Sequence, residues 1–478
     1  MIQDMSAEAK NPGHHGGFSW WVAAIFIVGE TAGSGLVAMP NAIKHTGFIG
    51  GTILLSLVAV MCGHTARNLG SNFLLMQKRW PQYLQPCRSP YPEMGYRAMG
   101  RGASILVQAM IFVTLFGGTS VFCLLASRNI SELMQLFGVR VHFCVVLFVL
   151  ALVLWPFMML RSPMNFWQVS IGAAASTTIA VILILIGASI DIPTCYHVAA
   201  YEELSLKKFC LGFGTIVFAY GGHPAFPTIQ HDMSNPRLFP KAALLSYILL
   251  FVLYAPVSLE GYAVYGNSLT DSIISSIQTS SLRLTINALI TAHVLFSILI
   301  IINPLHQAVE EQFKVKHEFS MGRFVVRTVL FFATVIAASL LPNFGVFLDL
   351  VGSSSMTLLA LVLPGLFRLY LEAGYKLAET QKGIQADDCS QYPTIKQVIS
   401  LSSNKQLLIE GLIMGVGLLL GILATANALT EAVHSSLASP CFVQLFSSSS
   451  STSSSLSTYY CCGPYRNITS NSDATCSA

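Results

Sequence analysis

The sequence predicts an all-α polytopic membrane protein with eleven transmembrane helices, and three observations carry that reading. Of the 478 residues, 53% are hydrophobic and only 10% are charged, whereas a soluble globular protein carries about one quarter charged residues. The mean hydropathy is +0.63. Apolar stretches near the roughly 20 residues that a helix needs to cross a bilayer recur at 18–44, 48–74, 103–127, 142–160, 166–190, 209–232, 240–265, 284–309, 322–341, 345–370 and 405–429.

Taken in order, the first stretch begins near Phe18, exceeds the apolar core of a signal peptide and therefore reads as a retained span. Trp20 and Trp21 are its interface anchors. It also holds Gly33-Ser34-Gly35 and Pro40, which should weaken a helix. The second to fifth stretches are more regular. The sixth, "GFGTIVFAYGGHPAFPTIQHDM", is interrupted at Gly221-Gly222-His223-Pro224. The seventh to tenth follow closely, and a polar loop at 372–404 precedes the eleventh. The expected organisation is a cytoplasmic segment 1–17, a membrane domain 18–429 and an outer tail 430–478 with a Ser-rich run at 447–457.

Lys and Arg set the orientation. With the N-terminus cytoplasmic, the inner segments hold Lys78, Arg79, Arg88, Arg97, Arg101, Arg161, Arg237, Lys241, Lys314, Lys316, Arg323, Arg327, Lys376, Lys382 and Lys396. The outer ones hold Arg128, Arg140, Lys207, Lys208, Arg283 and Arg466. The sequons at Asn129 and Asn467 fall on the same outer side, making both candidates for glycosylation. Cys195, Cys441, Cys461, Cys462 and Cys476 lie outside, and Cys123, Cys144 and Cys210 lie near outer helix ends, where disulfides are permitted; the sequence assigns no pairing.

Helical backbone that breaks inside a bilayer must find partners in protein or in a water-filled cavity. At 1.5 Å per residue, the first break lies roughly 20 Å beyond the tryptophan anchors, near the midplane. The second is about a dozen residues from the outer end of its span, at similar depth. Five helices separate the two breaks. Paired interruptions at matching positions are the sequence signature of an inverted-repeat transporter, here five plus five helices with the eleventh added. Either glycine pair alone would fit close helix packing; the pairing favours a binding site.

At these segments the chain resembles the amino acid/auxin permease family. "GSGLVAMPNAIKHTGFIGG" resembles its first-helix pattern and "GTIVFAYGGHPAFPTIQHDMSNPRLFPKA" its sixth-helix segment. "EGYAVYGN", "INPLHQAVE" and "VGSSSMTLLALVLPGLFRL" extend the likeness across about Ser19 to Ala428. The resemblance implies a LeuT-like fold with alternating access. A substrate α-carboxylate would meet the N–H groups of Gly33, Ser34 and Gly35. Its amine would meet carbonyls near Phe218, Ala219 and Tyr220, beside Gly221 and Gly222. The general chemistry agrees: helix N-termini expose donors and C-termini expose acceptors. Thr114 and Phe116 on the third span are candidate pocket walls.

Glu30 raises the question of the driving ion. A carboxylate at a helix centre costs about 2.5–3.5 kcal/mol on insertion scales, so it either carries a proton or braces the freed amides of the break. Sodium-coupled relatives often place an Asn four residues before the first glycine of the first-helix motif; Gly29 stands there, which favours protons over sodium. His223 and His293 are further proton-coupling candidates, with His223 ranked first by its place beside the sixth-span break. Glu260 and Asp349 read as outward-facing and easily solvated, and Glu310 and Glu311 as part of a solvated charged face.

The expected function is secondary active transport of small neutral amino acids coupled to protons. Sodium coupling and an amino acid sensor with little flux are the alternatives. No selectivity filter, catalytic motif or nucleotide-binding loop is visible, which argues against a channel, an enzyme or an ATP-driven pump. The expected partners are an amino acid, a coupling ion and the bilayer, with no metal or cofactor and no nucleic acid, and the protein is expected to act as a monomer. The membrane is plasma, lysosomal or vesicular.

Overall fold

In the computed structural model, the described residues are 17–85, 87, 89–159, 166–201, 203–315, 320–380, 392–436, 440–446, 459–460 and 468–469. The chain is all-helical across its membrane region. The helices are α1 (Trp20–Thr31), α2 (Ser34–Thr46), α3 (Phe48–Arg79), α4 (Pro90–Met99), α5 (Arg101–Leu136) and α6 (Phe143–Met158), followed by α7 (Phe166–Cys195), α8 (Leu206–Ala219) and α9 (Phe226–His231). After these come α10 (Phe239–Tyr265), α11 (Ser280–Gln312), α12 (Met321–Leu340), α13 (Phe344–Val351) and α14 (Leu363–Thr380), the last two joined by π-helical turns over Gly352–Met356 and Leu358–Val362. The series ends with α15 (Ile395–Leu401), α16 (Asn404–Ser436) and α17 (Cys441–Phe446). Among the described residues, eight helices are long and apolar enough to cross a membrane, or nine when the bent pair α1–α2 counts as one span. This is a multi-pass membrane protein.

Each apolar stretch read from the sequence is helical. Two fall short of an uninterrupted span: α6 has 16 residues, and the sixth stretch is divided into α8 and α9. The first stretch is divided too, with α1 and α2 inclined at 62°.

Burial follows lipid contact. Trp21, Ile53, Val60, Ile248, Phe296, Leu419 and Ile422 stay exposed on outward faces, while one contiguous apolar core runs through α1–α3, α5, α8, α10, α11 and the π-helical turns. Small residues let helices approach. At Gly29 a Cβ would lie 1.9 Å from the Ser170 carbonyl oxygen, so α1 lies against the α7 backbone at a distance no side chain would permit.

Several polar residues sit differently from the sequence reading. Glu310 is no solvated face: it is buried, with Arg327 Nε at 2.5 Å and Arg323 Nε at 3.3 Å from its Oε1, and Arg327 also donates to the Met158 carbonyl at 2.8 Å. Three elements are thus joined by one buried charge network, because a charge removed from water needs a partner. Asp349 is likewise buried rather than outward-facing, and accepts a hydrogen bond from Thr215 of α8. Asn129 lies within α5 with its side chain 2% exposed, so it is closed to glycosylation in this conformation: a sequon needs an accessible loop, and here a helix buries it. Asn467 lies outside the described residues. A disulfide joins Cys144 at the start of α6 to Cys441 of α17.

Candidate functional site

Both helix breaks lie side by side, and their glycines make that possible. α1 ends at Thr31 and α2 begins at Ser34, leaving Ala32 and Gly33 non-helical. Gly33 N–H turns back to the Thr31 carbonyl at 2.9 Å. The N–H groups of Ser34 and Gly35 have no acceptor among the described residues, as expected for the first turn of a helix. Of the three donors assigned to a carboxylate, two are therefore available. A Cβ on Gly35 would lie 2.6 Å from Ala219 Cα, which presses the start of α2 against the end of α8.

At the second break, α8 ends at Ala219 and Tyr220–Gly222 turn into a short 3-10 segment, His223–Ala225. Pro224 cannot supply a helical N–H there. The carbonyls proposed to be free are engaged to different extents. Phe218 accepts from Gly221 N–H at 3.1 Å and from Tyr220 N–H, Tyr220 from the Tyr247 hydroxyl at 2.8 Å and Gly222 N–H at 3.2 Å, and Ala219 from the Tyr254 hydroxyl at 2.9 Å. A carbonyl oxygen has two lone pairs, so Ala219 keeps capacity for a ligand amine. The Tyr254 hydroxyl also lies 3.2 Å from the Thr31 carbonyl, touching both breaks at once.

Around these breaks lie buried polar atoms with no hydrogen-bond partner among the described residues: Thr31 Oγ1, Ser34 Oγ, Tyr220 Oη and His293 Nε2. Unpaired buried polar groups are costly, and four at one place mark a site shaped for a polar ligand. A Cβ on Gly33 would stand 3.2 Å from His293 Nε2 and 3.4 Å from the Phe122 ring; one on Gly222 would stand 2.6 Å from Thr31 Oγ1. Tyr220 stacks on Tyr247 and is tilted against Tyr254.

The partners of His293 fix its tautomer. The Thr177 hydroxyl donates to the Ala32 carbonyl at 3.1 Å, so it accepts from His293 Nδ1–H at 3.0 Å; the Ala173 carbonyl at 3.3 Å also needs that proton. Nε2 is then an unprotonated acceptor beside Gly33. His223 is placed differently. The Thr65 hydroxyl lies 3.0 Å from the carbonyls of both Met61 and Cys62, so His223 Nε2–H donates to Thr65 at 3.0 Å, bridging the sixth-span break to α3. Glu30 is half-buried and makes no hydrogen bond or ion pair among the described residues.

The wall residues expected from sequence lie on two faces of α5. Thr114 donates to Ser355 at 2.7 Å, pinning α5 to the π-helical turns, and Phe116 is half-buried on another face of α5. Phe122, Thr177, Tyr254 and Met356 were not legible as site residues. Of these, Met356 covers Gly221, where a Cβ would lie 2.4 Å from its Cγ.

An all-helical, multi-pass membrane protein in which two interrupted helices meet beside unpaired polar groups is the class these features define. Residues 16–383 match the family described as transmembrane amino acid transporter protein, and the chain belongs to that family. It is similar to amino acid transporter AVT1D of Arabidopsis thaliana, 26% identical over 364 residues, covering 74% of this chain and 63% of that relative. Amino acid transporter AVT1J of the same plant is 24% identical over 358 residues, 73% of this chain and 82% of its own length. For AVT3B the identity is 26% over 375 residues, with shares of 73% and 83%. Against AVT1D the chain spans less than two thirds of the relative's length.

Proposed function

We propose that the protein is a secondary active transporter of small neutral amino acids, coupled to protons, which binds its substrate between the two helix breaks and works by alternating access. The observation that carries this is the set of four unpaired buried polar atoms around adjoining breaks. Family membership supports amino acid transport. In this reading eleven helices cross the membrane as a LeuT-like five-plus-five inverted repeat with one addition. The substrate carboxylate lies on the N–H groups of Ser34 and Gly35, helped by Ser34 Oγ. Its ammonium lies on the second lone pair of the Ala219 carbonyl. Phe122 and Met356 limit the side chain.

Protons are favoured over sodium because the α1–α7 contact at Gly29 leaves no room for a side-chain ligand. His293 is the first candidate carrier, ahead of His223 and Glu30. Its free Nε2 sits at the break, and its other nitrogen is wired to the Ala32 carbonyl through Thr177.

Uptake of radiolabelled amino acids into proteoliposomes under a pH gradient, a sodium gradient or neither tests the proposal. Accumulation driven by the pH gradient and lost in His293→Gln supports it. Sodium-driven uptake that survives the substitution overturns the coupling, and saturable binding without flux overturns transport in favour of a sensor.

A further inference from the structure

A second polar cavity lies away from the helix breaks, between α3, α14 and α16, at the ends nearest the Lys- and Arg-rich loops. Its volume is about 330 Å³, and of its lining residues only Ile409 is apolar. Two carboxylates border it, and both are already engaged. Glu372 pairs with Arg368 and accepts from Gln406 Nε2 at 2.7 Å. Glu410, buried, accepts from Asn68 Nδ2 at 2.8 Å and has His64 Nε2 at 2.9 Å, while its second oxygen fills the notch over Gly365. The cations Arg67 of α3 and Lys405 of α16 line the same cavity, and their side chains make no ion pair or hydrogen bond among the described residues. Arg67, Arg368 and Lys405 against Glu372 and Glu410 leave the lining with a net charge of +1 with His64 neutral, and its two cations outside any ion pair come from separate helices.

Depth points to the source of the matching anion. Arg67 stands about 28 Å along α3 from Phe48, close to the roughly 30 Å thickness of the hydrocarbon core. Lys405 is the second residue of α16. The cavity is therefore at headgroup level. Beside it, Leu408 and Leu412 of α16 remain exposed, a surface suited to an acyl chain. We propose that this cavity binds a phosphate group supplied by the headgroup of an anionic phospholipid in the adjacent leaflet, with Arg67 and Lys405 as its ligands and Arg368 behind them. Basic pockets between membrane helices bind such headgroups, each cation near the surface contributing about 1 kcal/mol.

The test uses full-length protein in nanodiscs of phosphatidylcholine, with or without a phosphatidylinositol phosphate. Native mass spectrometry counts the retained lipid, and thermal melting is followed in parallel. The anionic lipid should remain bound and raise the melting midpoint. Affinity should fall about fivefold in Arg67→Ala or Lys405→Ala and about thirtyfold in the double variant. Lys405→Arg should retain binding, and Lys396→Ala, exposed and outside the cavity, should behave as wild type. Inorganic phosphate added to phosphatidylcholine discs forms the second arm: a melting shift with phosphate and none with the lipid overturns the lipid assignment. Lipid retention unchanged in the double variant, or no effect in either arm, overturns the site. Neither readout depends on amino acid flux, so the outcome stands apart from the transport proposal.

Discussion

Gly35 and His293 carry the sharpest residue-level predictions. Gly35→Ala would place a methyl 2.6 Å from Ala219 Cα, against backbone that cannot rotate away. Overpacking of this kind costs about 1–3 kcal/mol. The variant should lose uptake and show a lower melting temperature, both measured on purified protein; unchanged uptake would mean that the breaks need not touch. For His293→Gln, the amide can still bond to Thr177 but cannot carry a proton. Exchange of substrate across the membrane should persist while pH-driven accumulation disappears, and accumulation that survives would remove His293 from the coupling path. The sequence located the breaks because glycine and proline act through the backbone, which local composition reveals. It did not single out Phe122, because nothing in one helix's composition says which face meets another helix. Phe122 lies eight positions beyond Thr114, on the same helical face, whereas Phe116 points elsewhere. The His223 and His293 ranking failed to foresee Thr177, whose hydroxyl decides which nitrogen of His293 is free.

Between elements, the buried hydroxyl of Tyr254 is the point where both breaks meet α10. Tyr254→Phe should leave the Ala219 and Thr31 carbonyls short of a donor, at a cost of about 1–3 kcal/mol. Its effect should be on substrate affinity as well as stability, read as a change in KM alongside a lower melting temperature. By contrast, the Glu310 network joins α6, α11 and α12 far from any break. Glu310→Gln should cost about 3–5 kcal/mol, as expected when one partner of a buried ion pair is removed. The expression level and melting temperature should drop while the selectivity among amino acids stays as in wild type. A change of selectivity would show that the network communicates with the site. Glu310 was misread from sequence because it adjoins a charged loop, whereas Glu311 is exposed as expected. Only the packing of α12 across α11 shows that Arg323 and Arg327 face inward onto Glu310.

At the scale of the molecule, the length of the apolar runs made the helical, multi-pass architecture legible, since a bilayer imposes length and polarity on every segment that crosses it. Eleven crossings require the two chain ends to lie on opposite sides. Epitope tags at either end of the full chain, probed by protease protection in sealed vesicles, should show one protected and one cleaved; tags that share a side would overturn the count. Long-range covalent links were not legible, because spacing carries no pairing information among eleven cysteines.

The bond between Cys144 and Cys441 spans 297 residues, and this gives the protein a record of its own synthesis. At about 5–20 residues per second, the second sulfur emerges from the ribosome roughly 15–60 s after the first. Chains released early therefore carry Cys144 as a free thiol. Alkylation during a pulse-chase, read by mass spectrometry on the Cys144 peptide, would report the fraction of chains in which that bond has not yet closed.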